Sequence, residues 1–133
     1  MTDAKLKHLE FIQSVINRLS TNSFLLKGWS VVLVSALFAL SANNSNVAFI
    51  MLAYIPAIVF WGLDGYFLST ERLYRALYEK VRKMDNDDID FSMDTRQLKG
   101  KPLTWMSATL SKTLIPFHGS LIIAIIIVML VQI

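Results

Sequence analysis

No charged side chain occurs between Lys27 and Asp64. That bare run, Gly28 to Leu63, constrains the chain more than any other feature. A membrane-crossing helix needs roughly 20 mainly apolar residues to span about 30 Å of hydrocarbon. The run is too long for one crossing and just long enough for two short ones. It is broken by Asn43-Asn44-Ser45-Asn46, a polar turn without an apolar member. A second bare run, Thr113 to Ile133, follows Lys112 and is ionisable only at His118. The pattern predicts three transmembrane helices over residues 24–42, 47–68 and 114–133.

Composition agrees with this reading. The 133 residues are 54% hydrophobic and 17% charged, whereas a soluble domain carries about one quarter charged residues. A soluble core of this size could bury one such helix but hardly three. The absence of cysteine excludes a disulfide scaffold, a thiol catalyst and a cysteine-ligated metal. His8 and His118 are the only histidines. No motif for phosphate cradling, nucleophilic catalysis or metal hydrolysis is present, so no enzyme, cofactor or metal is expected. Residues 1–23 lack the apolar stretch and cleavage pattern of a signal peptide. The first spanning helix is therefore expected to direct insertion and to stay in the chain.

The basic residues set an expected orientation. Lys5, Lys7, Arg18 and Lys27 precede the first span, and the rest of the 13 lysines and arginines lie between spans two and three. The positive-inside rule then puts the N-terminus in the cytoplasm, the 43–46 turn outside and the C-terminus outside. The expected location is the bacterial inner membrane, crossed by several passes. Counted from the turn, Trp29 and Trp61 fall at nearly equal depth, where an aromatic belt sits. Lys27 and Asp64 match in the same way, nearer the cytoplasm. Three readings of Asp64 follow: a carboxylate facing headgroup water, an ion pair with Lys27 within or between subunits, or a group in an ion path.

The cytoplasmic parts have their own periodicity. Residues 4–19 form an amphipathic helix, with Leu9, Phe11, Ile12, Val15, Ile16 and Leu19 on one arc. Asn22 and Ser23 are expected to interrupt it. The second span is expected to continue to residue 84 as one helix roughly 57 Å long at 1.5 Å per residue, with Pro56 as its kink position. Leu73, Leu77, Val81 and Met84 form an apolar stripe bordered by Tyr74 and Tyr78. The 4–19 helix or another subunit is the expected partner of that stripe. Arg72, Arg75, Arg82 and Lys83 gather opposite it around Glu79. That basic face, with Tyr74 and Tyr78, is either a surface for anionic lipid and water or a site for an anion or nucleic acid.

Asp85, Asp87, Asp88, Asp90 and Asp94 follow as an acidic run. It lacks the glycine and the terminal glutamate of a calcium loop. Ile89, Phe91 and Met93 alternate with polar residues, which allows a short strand. Arg96, Lys99 and Lys101 restore positive charge around Gly100 and Pro102. Residues 103–112 suggest a short interfacial helix, with Trp105 and Met106 toward lipid. His118 reads as an interfacial histidine or, less simply, a pH gate. The sequon Asn43-Asn44-Ser45 sits too tightly in its turn to carry weight. The chain thus divides into a cytoplasmic helix (1–23), a transmembrane hairpin (24–69), a cytoplasmic helix and charged loop (70–112) and a third transmembrane helix (113–133). The fold class is all-α.

Two runs carry a family resemblance. Asn22-Ser23-Phe24-Leu25-Leu26-Lys27-Gly28-Trp29 is one. The other is Phe60-Trp61-Gly62-Leu63-Asp64-Gly65-Tyr66-Phe67-Leu68, followed by Glu71-Arg72-Leu73-Tyr74-Arg75. Over roughly residues 11–83 the chain resembles a family of small bacterial three-helix membrane proteins. In size and layout it is similar to the membrane effectors of the Hailong anti-phage system. That likeness implies an oligomeric channel, held by the DNA-oligomer product of a partner nucleotidyltransferase and released on infection. It assigns no ligand contact to any residue.

Three helices cannot enclose an aqueous pore, so transport requires assembly. Ser35 with Ala39 and Ala53 with Ala57 offer small-residue steps for close helix packing, in the hairpin or between copies. A homo-oligomeric channel gated by a cytoplasmic nucleotide or DNA oligomer is one expected function. A non-conducting membrane anchor or regulatory subunit, presenting its loop to a protein partner, is the other.

Overall fold

The computed structural model describes residues 2–44, 46–98 and 103–132. Helix α1 spans Asp3–Asn44 and helix α2 spans Val47–Lys83. Single 3-10 turns follow at Asn86–Asp88 and Arg96–Leu98, then a short helix α3, Trp105–Thr109, and α4, Ile115–Gln132. No strand occurs among the described residues. Three of the helices, α1, α2 and α4, are long and apolar enough to cross a membrane. The protein is membrane-embedded and all-helical.

α1 is the first departure from expectation. It runs unbroken through Asn22 and Ser23 for 42 residues, about 63 Å at 1.5 Å per residue. Asparagine and serine interrupt helices when their side chains bond locally to backbone. Ser23 instead donates its hydroxyl across the helix pair to the carboxylate of Asp64, so its local competition with the helix is lost. The amphipathic segment and the first span are therefore one rod.

α2 agrees with the expected 47–84 to within a residue. Asn46 caps its start by accepting a hydrogen bond from Ala48 N at 2.9 Å. Its far end is closed by the Lys5 ammonium, which donates to the carbonyls of Arg82 (3.1 Å) and Met84 (2.7 Å). A cation there satisfies unpaired carbonyls and meets the negative end of the helix dipole. α2 continues through Pro56.

The antiparallel α1 and α2 meet in two apolar clusters. In the first, Leu9, Ile12 and Ile16 of α1 pack on Leu77 and Val81 of α2, with Ile89 closing the end. This chain's own α1 is thus the partner of the apolar stripe on α2. Tyr74, Tyr78 and Met84 border this cluster. In the second, Val34 packs with Ile50, Ala53 and Ala57 and with Ile125 of α4. Ala53 and Ala57 are buried in this seam, whereas Ser35 and Ala39 are exposed.

The strand expected around Ile89, Phe91 and Met93 does not form. Ile89 is drawn into the first cluster, and Phe91 takes a left-handed φ of 57° that ends any extended run. Asp90 and Asp94 turn the chain locally, accepting from Ser92 N and Arg96 N. The helix expected over 103–112 is confined to α3, with Thr104 accepting from Ser107 N at its start. Trp105 and Met106 are exposed on it. Ser45, Lys99, Gly100, Lys101 and Pro102 lie outside the described residues, and with them the sequon and the central part of the second basic patch.

Candidate functional site: a buried carboxylate at the meeting of three helices

Asp64 is completely buried. A bare carboxylate there would carry a large desolvation cost, so its partners define the site. Lys27 Nζ of α1 lies 2.6 Å from Oδ2. His118 Nε2 of α4 lies 2.8 Å from the same oxygen. Ser23 of α1 donates to Oδ1, and Lys27 also donates to Ser23 Oγ at 2.9 Å. One carboxylate on α2 thereby ties α1 and α4 to its own helix.

Periodicity explains the convergence. Ser23 and Lys27 are four residues apart and share a face of α1. His118 sits in the first turn of α4, just past Pro116, and is 1% exposed. For its Nε2 to donate to Asp64, the neutral ring must carry its proton there, which leaves Nδ1 as an acceptor. Nδ1 is buried without a hydrogen-bond partner among the described residues. Trp61 stacks on the ring at a centroid distance of 5.8 Å and an interplanar angle of 5°, and Phe117 meets it edge-on at 5.0 Å.

A second layer fixes α3 against α2. Trp61 Nε1 donates to the Thr109 carbonyl at 2.9 Å, and Trp105 Nε1 to the Gly62 carbonyl at 2.9 Å. Gly65 permits the approach: a Cβ there would sit 2.1 Å from Thr109 Oγ1 and 3.2 Å from Thr109 Cα. Trp61 and Trp29 therefore differ in their surroundings. Trp29 is 60% exposed, while Trp61 is turned inward to hold His118 and α3.

Of the expected site residues, Lys27 and Asp64 are brought together within one chain, and Asp64 does not face headgroup water. His118 and Ser23 complete the site and were not assigned to it by sequence. The basic face of α2 is more dispersed. Arg75 pairs with Glu71 at 3.1 Å and Arg82 with Glu79 at 2.7 Å. Arg75, Tyr78 and Glu79 line an open groove of about 350 Å³ with Gln13 and Ile16 of α1. Tyr78 and Arg82 line the adjoining one with Leu6, Leu9 and Glu10. Tyr74 packs toward the apolar cluster. Arg72 is half-buried and Lys83 exposed, and neither lines these grooves.

No cluster of three or more metal-ligating groups occurs among the described residues. Asp94 and Arg96 form an exposed pair at 2.8 Å. The guanidinium side chain and the Arg96 backbone N–H hold the Asp94 carboxyl at about 2. Compared with protein families, curated proteins and solved structures, the chain matches none.

Proposed function

We propose that the protein is one subunit of a homo-oligomeric channel in the bacterial cytoplasmic membrane, with the N-terminus and residues 70–112 inside the cell. The observation that carries this reading is the continuity of α1 and α2. Each runs without a break from the cytoplasmic cluster into the spanning region. A shift imposed on the cytoplasmic end is thus carried to the spans by rigid helix, with Asp64 and its donors as the coupling point between all three.

The spans also keep their apolar surface outward. Phe24, Trp29, Ile55, Ile58, Leu130 and Val131 are each more than half exposed, so lipid or further copies must cover them. The two adjoining grooves that share Tyr78, one bearing Arg75 and the other Arg82, are the candidate ligand surface, suited to an anion that displaces Glu71 and Glu79 from their arginines. A DNA oligomer from a partner nucleotidyltransferase, the ligand implied by the family resemblance, has that chemistry. Release of such a ligand during phage infection is the corresponding switch.

The test is ion flux from liposomes holding the purified protein, with and without single-stranded DNA oligomers, alongside its mass in detergent. The channel reading expects an oligomer, a conductance changed by oligonucleotide, and loss of that change on replacing Arg72, Arg75 and Arg82 with glutamine. A monomer that conducts under no condition contradicts it. Such a result would favour the anchor reading, for which the exposed Asp85, Asp87 and Asp88 are the presenting surface. That reading expects a cytoplasmic protein partner lost on deletion of 85–112.

A further inference from the structure

Away from the Asp64 site, a second buried histidine lies under the segment that leaves α2. His8 of α1 is 3% exposed, and its Nε2 has no hydrogen-bond partner among the described residues. Phe91 stands edge-on to the ring, with centroids 5.5 Å apart and planes at 73°. To reach that place Phe91 adopts a left-handed φ of 57°, a conformation that L side chains resist. The ring itself stays 49% exposed, so its burial does not repay the strain. The anchor is Ile89, buried two residues earlier among Leu9, Leu77 and Val81. Beside the pair a cavity of about 360 Å³ opens between Ala4, Lys7, Phe11 and Met93, room into which water can enter.

We propose that residues 89–93 are a displaceable strap across the cytoplasmic end of the α1–α2 rod, latched by neutral His8 and released when His8 gains a proton. A neutral imidazole can rest under Phe91 with one nitrogen unpaired. An imidazolium carries two N–H donors and a charge, and both need water or an acceptor. Burial pushes the His8 pKa below its ordinary 6.5, against a smaller upward pull from Asp90 on the strap. The direction of linkage follows. The folded strap binds this proton less readily than the open one, so its closure is favoured above pH 6.5 and weakens as pH falls toward the lowered value.

The charges around the ring are few. Asp90 acts from the strap. Lys5 and Lys7 flank the histidine on α1, Lys5 being engaged by the Arg82 and Met84 carbonyls. The end of α2 adds the exposed Arg82 and Lys83 side chains. Lifting the strap uncovers the apolar residues beneath Ile89, which gives the cytoplasmic end a second surface at low pH. None of this requires ion conduction.

The chain has no cysteine, so a nitroxide on a single Ser92→Cys, in the full-length protein reconstituted in lipid vesicles, reports from within the strap. The immobilised spectral fraction is expected to fall at least twofold between pH 7.5 and 5.5. His8→Phe, which keeps an aromatic ring and cannot charge, should abolish the change, and His8→Gln serves if that variant does not fold. Asp90→Asn should move the midpoint to lower pH, because it removes the upward pull on His8. A label that is equally mobile at both pH values, or a transition that survives in either His8 variant, overturns the proposal.

Discussion

The same two helices present different outward faces at their two ends. In the half that holds the start of α1 and the end of α2, Leu9, Ile12, Ile16, Leu77 and Val81 are inside, and Glu10, Ser14, Arg18 and Glu79 are outside. In the spanning half the buried side chains mix Val34, Ile50 and Ile125 with Ser30, Ser41, Asp64 and His118, while Phe24, Trp29, Ile123 and Leu130 face out. Ser41, for example, lies within hydrogen-bond distance of both the Asn46 carbonyl and Gln132 Oε1. We infer that this change of outward face follows a change of solvent from water to hydrocarbon. It falls at the level of Ser23, Lys27 and Asp64. Ser23, Lys27 and Asp64 find their hydrogen-bond partners inside the protein, where lipid would offer none, whereas Ser30 Oγ and His118 Nδ1 have no partner among the described residues.

The largest expected effect comes from removing the carboxylate. Asp64→Ala leaves Lys27 with only Ser23 Oγ as acceptor and His118 Nε2 with none, and should cost about 3–5 kcal/mol. Thermal unfolding in detergent measures it, and the double variant Lys27→Met, Asp64→Leu should recover much of the loss. Full stability in Asp64→Ala alone would break the claim that this carboxylate joins the three helices.

A matched pair tests this change of outward face itself. Ile123 and Phe11 have similar exposure, 58% and 62%, in the two different halves. Ile123→Arg should cost roughly 2.5–3.5 kcal/mol in membrane insertion, whereas Phe11→Arg should change stability by only about 0.5 kcal/mol. Equal effects would mean that both faces meet the same solvent.

Gly65→Ala is expected to come next. Its Cβ would collide with Thr109 side chain and backbone, so α3 must move away from α2 at about 1–3 kcal/mol. Thr109→Ala should rescue only part of this, since the backbone contact remains. Lys5→Met is the smallest, about 0.3–1 kcal/mol from the lost charge at the end of α2, with fraying of residues 80–84 visible by hydrogen exchange.

Much of this was legible in the sequence, for reasons that also explain the gaps. α2 was readable because the polar 43–46 turn marks its start and no glycine or proline interrupts residues 68–84. The Lys27–Asp64 pair was readable because antiparallel helices align residues at equal distance from their turn. His118 was not, since α4 follows a long loop and its register against α2 cannot be counted from a turn. One signal did exist: His118 is the single ionisable side chain in the third span, and such a group seeks a partner inside the protein. Ser23 was misread because local propensity favours a break, and only the tertiary bond to Asp64 reverses it. A short strand was allowed for residues 89–93 because Ile89, Phe91 and Met93 alternate, whereas the available partner was a helix pair whose apolar end takes up Ile89.

The most direct test of this change of solvent is a single-cysteine scan along the outward face of α1 in vesicles open to reagent on both sides, at residues 14, 20, 25, 32, 36 and 39. With a membrane-impermeant maleimide, residues 14 and 20 should label fully and 32, 36 and 39 should not, with the step near Lys27. Uniform labelling along the helix, or a step far from Lys27, would contradict a water-to-lipid crossing at the Asp64 site.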